Sequence, residues 1–331
     1  MRPRGTRALV LAAGRGERLR PLTLVCPKPL LPVAGRPLAA WTLERLRAAR
    51  VEAAAINLNH LGGAIRAAFG ASFRGLPLVY SEEPELLGTG GALPPLADYF
   101  AGARALLLVN GDSLCRWPLE RLLTEHHRRG AAATLLVHRT VDPHGFGGGV
   151  AVEAGRVVAL RPAALAWRAA RTRRVFAGAA VLDPHLVARL PAGPCDIVTS
   201  LYEPLLDAGE PIAAVETTRA WFDLGTPARY LAGALAFALE RYPERGARRR
   251  PGARVEASAR LARAVVEPGA EVGADARIEG SLVLPGARVG ARARLEASIL
   301  GPGAELLPGE HLARTLRVAL DGAVVDHAIE S

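Results

Sequence analysis

Four residues between positions 14 and 28 suit the handling of phosphate. Gly14 and Gly16 end an apolar run, Ala8–Ala13, and without side chains they let backbone N–H groups approach phosphate oxygens closely. Arg18 follows two residues later and can reach the same anion. Lys28 is the one lysine among 42 lysines and arginines. Arginine is a planar fork, whereas lysine is a compact ammonium on a flexible stem. A chain that writes every other cation as arginine and keeps lysine once predicts a tight site over phosphate oxygens there. The glycines lack the third glycine of a dinucleotide fingerprint and the Gly-Lys-Ser/Thr of a P-loop. Pro21, Pro27, Pro29 and Pro32 predict a long extended loop that wraps a phosphate chain and carries Arg18 and Lys28 to it.

Such a loop needs a scaffold, and the sequence supplies one. Ala8–Leu11, Ala54–Leu58, Leu76–Tyr80 and Ala105–Val109 read as strands, with helical patterns at 38–50, 61–69, 92–100 and 119–129 between them. Near-continuous apolar strands that end in polar residues, such as Val109-Asn110-Gly111-Asp112, predict a mainly parallel sheet covered on both faces, with ligands at the carboxyl ends. After Thr134–His138 come shorter strands at 149–153, 157–161 and 175–182, which predict an inserted antiparallel lobe. A helix at 196–208, a strand at 212–215 and a helix at 227–242 close a domain spanning 1–243.

From residue 247 a fixed period takes over. Pro-Gly-Ala begins at 251, 268, 285 and 302, each step 17 residues, and apolar residues recur every five or six positions at Val266, Val272, Ile278, Val283, Val289, Leu295, Leu300 and Leu306. A fixed period means a solenoid, and this one resembles the hexapeptide repeats of left-handed parallel β-helices. The expected repeat covers 247–318 in about four coils, followed by a tail at 319–331. Its expected role is structural or oligomerising, which makes a homo-oligomer the expected state.

Charge and cysteine content narrow the classes. The 331 residues carry a formal charge of +10, with 29 basic against 20 acidic residues in 1–243 and 13 against 12 in 244–331. The excess is scattered over single arginines without aromatic interleaving, so a small polyanion is expected and nucleic acid is not. Cys26, Cys115 and Cys195 have no paired spacing, and no apolar run approaches a membrane span, so a cytoplasmic chain without membrane contact is expected. The basic, then apolar start imitates an export signal, but the apolar stretch is too short and reads as a buried strand. His126-His127, late on a predicted helix, reads as a solvated or end-charge pair, and Arg248–Arg250 as a solvated linker.

The stretch LAAGRGERLRPLTLVCPKPLLPVAGRPL resembles the signature of the sugar-1-phosphate nucleotidyltransferases. The likeness continues through Glu82-Glu83-Pro84 with Leu87-Gly88-Thr89-Gly90-Gly91, through Val109-Asn110-Gly111-Asp112, and through Trp221-Phe222-Asp223-Leu224-Gly225-Thr226-Pro227. It implies an α/β, Rossmann-like nucleotidyltransferase domain and a reaction in which a sugar 1-phosphate attacks the α-phosphorus of a nucleoside triphosphate. It also implies roles. Arg18 and Lys28 would hold phosphates, and Asp112 and Asp223 would hold Mg2+, which prefers one or two carboxylates plus substrate phosphates. Leu11, Ala12, Ala13, Gly14 and Gly16 would cradle the nucleotide. Gly88, Thr89 and Gly90 would lie against the base, with Glu83 accepting from its edge.

The sugar side departs from the family pattern. Leu160-Arg161-Pro162 stands where many members have Glu-Lys-Pro, so Arg161 is the expected phosphate clamp, with Gly148, Gly149 and Gly178 as floor residues. The wording is similar both to mannose-1-phosphate guanylyltransferases and to uridylyltransferases acting on N-acetylmuramate 1-phosphate. Glucose-1-phosphate thymidylyl- or uridylyltransferase chemistry is a further alternative. A non-catalytic regulatory homologue and a hexapeptide acyltransferase are the rival classes. The first is countered by the survival of Arg18, Lys28, Asp112 and Asp223 together, and the second by a repeat whose histidines are only His311 and His327.

Overall fold

Valine, leucine and alanine runs with no polar interruption can be buried only between two covering layers, and the strands they form lie in the middle of the sheet. The computed structural model describes residues 5–141, 149–161, 172–241 and 251–330. Its main sheet has ten strands: β1 (Thr6–Leu11), β2 (Ala53–Leu58), β3 (Ser72–Phe73), β4 (Leu76–Glu82), β5 (Ala105–Asn110), β6 (Ala133–His138), β7 (Val150–Glu153), β8 (Arg156–Leu160), β9 (Arg173–Leu182) and β10 (Ile212–Thr217). They lie in the order β7-β8-β10-β6-β9-β5-β1-β2-β4-β3. β5, β1, β2 and β4 run parallel, as do β6 and β10. Ala8, Leu9 and Val10 of β1 are fully buried, as are Ala105, Leu106 and Leu107 of β5.

The strands expected to form a separate lobe instead join this sheet. β9 inserts antiparallel between β5 and β6, and β7 and β8 extend the edge beyond β10. The ten-residue β9 can pair with both neighbours because Gly178, at φ +77°, sits in a bulge between Phe176 and Ala180. Gly148, Pro162 and Arg248–Arg250 lie outside the described residues.

Some helices differ from expectation. Pro94 and Pro95 lack N–H groups, so the helix expected over 92–100 becomes a 3-10 turn, Pro94–Leu96, followed by Ala97–Phe100. The one expected over 196–208 begins as a π turn, Val198–Tyr202, continued by Glu203–Asp207. His126, on Leu119–Arg129, is buried rather than solvated: its Nδ1 lies 2.9 Å from Thr134 Oγ1, and burial brings its pKa down to about 4.

The chain divides into two compact units: residues 1–14 with 41–221, and residues 15–40 with 222–331. The loop after Gly14 and the helix Pro227–Arg241 thus group with the repeat, where composition alone suggested a boundary near 243. Within this second unit, Tyr230 is fully buried and its hydroxyl donates to Pro32 O at 2.7 Å, tying the helix to the loop.

The repeat forms three stacked parallel sheets, the arrangement of a left-handed β-helix. Every rung pairs with the residue 17 positions on: Leu261 with Ile278, Ile278 with Leu295, Leu295 with Leu312. The eight apolar residues at five- or six-residue spacing are at most 3% exposed, and positive-φ glycines at 252, 269, 286 and 303 turn the corners. Ser281 and Ser298 form an interior ladder, each hydroxyl accepting the N–H of the residue 17 positions later. The strand Thr315–Leu320 joins the last rung and turns back into Ala323–Ala328 as an antiparallel hairpin, so the expected tail continues the final coil. No described helix is long and apolar enough to cross a membrane.

Candidate active site

In the first unit, the exits of β1 and β5 are in register, Leu11 opposite Asn110. The N–H of Gly111 donates to Leu11 O at 2.8 Å, and a Cβ at Gly111 would come within 2.8 Å of that oxygen and 3.3 Å of Ala12 Cβ. Only glycine allows this approach, and it delivers half-buried Asp112 beside the start of the glycine loop. Ala12 and Ala13 are buried, whereas Gly14 is exposed with open space where a Cβ would stand. Gly178 of β9 lies against Asn110, whose Cβ would be 3.3 Å from a Cβ there. The expected sugar floor therefore borders the strand end that carries Asp112.

Glu83 faces inward. It is 3% exposed; Asn57 Nδ2 donates to its Oε1 at 2.7 Å and Leu87 N to its Oε2 at 3.0 Å. Asn57 Oδ1 in turn accepts the N–H of Ala12 at 2.6 Å. This chain of hydrogen bonds fixes the β1 exit and the start of the 87–91 turn to one carboxylate. Glu83 thus ties together two segments expected at the nucleotide, and both of its carboxylate oxygens already accept from the protein.

The glycines at 88–91 have a second reason to be glycine. A Cβ would meet Cys195 O at 2.6 Å from Gly88, Cys195 Sγ at 2.8 Å from Gly90, and Gly193 O at 2.3 Å from Gly91. The segment 193–197 lies flat against this turn and donates Ile197 N to Thr89 Oγ1 at 3.0 Å. Asp196 joins the 87–91 turn to Arg161: it accepts from Thr89 Oγ1 at 3.3 Å and from Arg161 Nη1 at 3.2 Å, and its Oδ1 caps Val198 N and Thr199 N. Gly149 is buried and its carbonyl accepts the N–H of Arg161 at 3.0 Å. Asn57 and Asp196 were absent from the sequence-derived site. A polar residue inside Ala53–Leu58, and an aspartate directly before an apolar helical stretch, were the signals.

In the second unit, the loop differs from the expected extended strap. It is three short turns, Glu17–Leu19, Leu22–Val25 and Lys28–Leu30. Pro21 and Pro27 stand at their N-caps and Pro29 at a first-turn position, where a missing N–H costs nothing, so the prolines start turns as well as end them. Gly16 is in the left-handed region at φ +63°, and a Cβ there would lie 2.8 Å from Thr23 Cγ2 and 3.6 Å from Lys28 Cβ. Thr23 Oγ1 closes the turn by donating to Gly16 O at 2.9 Å. Lys28 is 6% exposed, and a buried ammonium persists only with anionic or carbonyl company. Burial pushes the Cys26 thiol up to about 11, which disfavours its thiolate.

Asp223, also in this unit, is half-buried and paired with Arg229 Nη1 at 2.6 Å. Gly225 sits between it and Arg18: a Cβ there would lie 2.9 Å from Asp223 Oδ1 and 2.8 Å from Arg18 Nη2. Among the described residues no three His, Cys, Asp or Glu side chains cluster as a metal cage. Mg2+ requires none, because it keeps waters and takes phosphate oxygens beside one or two carboxylates; Asp112 in the first unit and Asp223 in the second are each a carboxylate of the kind it takes.

Residues 7–239 match the family described as Nucleotidyl transferase. A mannose-1-phosphate guanylyltransferase of Mycobacterium tuberculosis is 34% identical over 229 residues, covering 68% of this chain and 63% of that protein. A UTP–glucose-1-phosphate uridylyltransferase of Synechocystis is 28% identical over 265 residues, covering 74% of this chain and 68% of its own. The crystal structure of HddC from Yersinia pseudotuberculosis complexed with GMP-PN shares the fold, with a TM-score of 0.58 at 19% identity over 70% of this chain and 99% of that one. The match covers most of the chain and includes every motif from the glycine loop to Asp223: the protein belongs to the nucleotidyl transferase family.

Proposed function

We propose that the protein joins a nucleoside triphosphate to a sugar 1-phosphate, releasing pyrophosphate and a nucleoside-diphosphate sugar, with GTP and mannose 1-phosphate as substrates. The observation that carries this is the shared exit of β1 and β5, where Gly111 packs on Leu11 and Ala12 and sets Asp112 beside the glycine loop. Carboxyl ends of parallel strands are where sheets of this class take ligands.

In the reaction a sugar-phosphate oxygen bonds to the α-phosphorus, the bond from that phosphorus to the bridging oxygen breaks, and pyrophosphate leaves with the electron pair. The protein has to align the nucleophile and neutralise charge. Arg18 takes the triphosphate, Lys28 a phosphate near the reacting centre, and the backbone of residues 11–16 the remaining oxygens. Asp112 and Asp223 would hold Mg2+, whose charge when bound offsets that of the phosphates. Gly88, Thr89 and Gly90 take the base, held in place through Glu83. Arg161, with Gly149 and Gly178, takes the sugar phosphate. Its exposed pair with Asp196 is worth about 0–1 kcal/mol, so the guanidinium exchanges that carboxylate for a phosphate at low cost.

Guanine and mannose are supported by the guanylyltransferase relatives and by the Leu87–Gly91 wording beside a hexapeptide repeat. The test is pyrophosphate release with Mg2+, four nucleoside triphosphates, and mannose, glucose and N-acetylmuramate 1-phosphates. GTP with mannose 1-phosphate should be fastest, and a chelator should abolish release. Faster turnover with another pair would replace the substrates, and silence across the panel would remove the reaction. A cytoplasmic location and self-association through the repeat belong to the same reading; deleting residues 247–331 should lower the number of chains per particle, read as measured mass divided by the mass of one truncated chain.

A further inference from the structure

The hairpin that ends the repeat reaches a place no motif assigned to it. A cavity of about 390 Å³ in the second unit is lined by Arg18, Thr226, Arg229, His327 and Glu330, among others. Arg18 comes from the phosphate loop, Thr226 and Arg229 from the start of the helix Pro227–Arg241, and His327 from the strand Ala323–Ala328. Three elements far apart in sequence thus bring two guanidiniums and an imidazole to one cavity.

The walls decide what could bind. Among the described residues, the side chains of Arg18 and His327 have no hydrogen-bond or ion-pair partner, and both are exposed. The helix end contributes little: Pro227 has no N–H, and the N–H of Arg229 is already taken by Thr226 Oγ1 at 3.3 Å, leaving Ala228 as the remaining first-turn donor. Anion recognition here therefore rests on side chains. Arg229 shares its charge with Asp223, so the uncommitted donors are those of Arg18 and His327. Glu330 is the one acidic wall, and it opposes a polyanion.

We propose that His327 is a binding residue for the polyphosphate end of the nucleotide, acting beside Arg18, and that the C-terminal hairpin is therefore part of the nucleotide site. This rests on the proposed reaction for the identity of the ligand, but not for the presence of the subsite. Arg18 supplies the fixed charge, and the imidazole supplies a ring N–H from the hairpin. Glu330 weakens the grip and favours release of the leaving polyphosphate.

Calorimetric titration of inorganic tripolyphosphate into the full-length protein tests this without turnover. Relative to the unchanged protein, His327→Ala should weaken tripolyphosphate at least about tenfold, the low end for a hydrogen bond to a charged group, and Glu330→Gln should tighten it about twofold. His327→Gln, which keeps a donor, should recover part of the loss and shows that the hairpin is intact. In the assay, His327→Ala should raise KM for the nucleoside triphosphate by more than it lowers kcat. Equal tripolyphosphate affinity in His327→Ala and the unchanged protein overturns the proposal. If no substrate pair turns over but affinity still depends on Arg18 and His327, the subsite stands and the proposed reaction falls. If turnover proceeds and His327→Ala alters neither affinity nor KM, the reaction stands and the subsite falls.

Discussion

The sheet and the repeat solve the same packing problem by opposite means. In the repeat, each buried position is restated every 17 residues: Ile278, Leu295 and Leu312 meet the same neighbours one rung apart. In the sheet no environment recurs. Asn57 is bound by Ala12 and Glu83, 45 and 26 residues away, and Asp196 by Thr89, 107 residues away. A periodic stack spends its sequence on stability that is nearly additive along the axis, whereas the sheet concentrates distant residues at one edge, where chemistry can occur.

That contrast can be broken at several points. The largest expected effect is on the sheet side: Asp112→Asn should lower turnover by at least ~10²-fold, the scale of one preorganised electrostatic contact, with unchanged thermal melting. Retained activity in a folded variant would remove Asp112 from the site. Next is Leu295→Ala in the repeat, a fully buried side chain whose loss should cost ~2–5 kcal/mol by denaturant unfolding while kcat below the transition is preserved. An equal loss of activity would show that the two regions do not separate.

Acid lability should belong to the sheet unit. Burial holds the His126 pKa down at about 4 from an ordinary 6.5, so the unfolded chain takes up a proton before the folded one does. Stability from this group is complete above about 6.5 and is lost as pH falls toward about 4. His126→Asn, which cannot titrate, should flatten that part of the stability profile; an unchanged slope would place the lability elsewhere. The smallest effect is expected from surface ion pairs. Glu125 is held down to about 2 by hydrogen bonds from Arg128 and Arg129, yet the pair lies in solvent and Arg128→Ala should leave the unfolding midpoint nearly unchanged. Arg254→Ala, which breaks a pair between neighbouring coils, should be as mild, and a larger effect in either would single out that region's surface.

Legibility followed the same division. The 17-residue step identified the repeat because its contacts are local in sequence and identical. The apolar runs located the strands, since burial on both faces leaves a continuous signature. Strand partners were less accessible: β9 lies between β5 and β6 through pairings across 37 to 76 residues, which no local pattern records. The loop is less legible because proline ends a helix in one setting and starts a turn in another: Pro21 and Pro27 occupy N-caps and Pro29 a first-turn position, all of which tolerate it. The hydrogen bonds of Glu83 were not legible, because whether a carboxylate faces solvent or accepts from an amide depends on Asn57 and Leu87, which meet it only in the fold.

The hairpin's attachment to the final rung makes the number of coils a length that matters. Inserting one more coil ahead of Thr315 would repeat every interior contact faithfully, yet it would shift Ala323–Ala328 by about one strand spacing, ~4.8 Å, and carry His327 out of the cavity it shares with Arg18. A stack that could otherwise grow by whole turns is therefore a ruler, cut to the distance between its first coil and the arginine it has to reach.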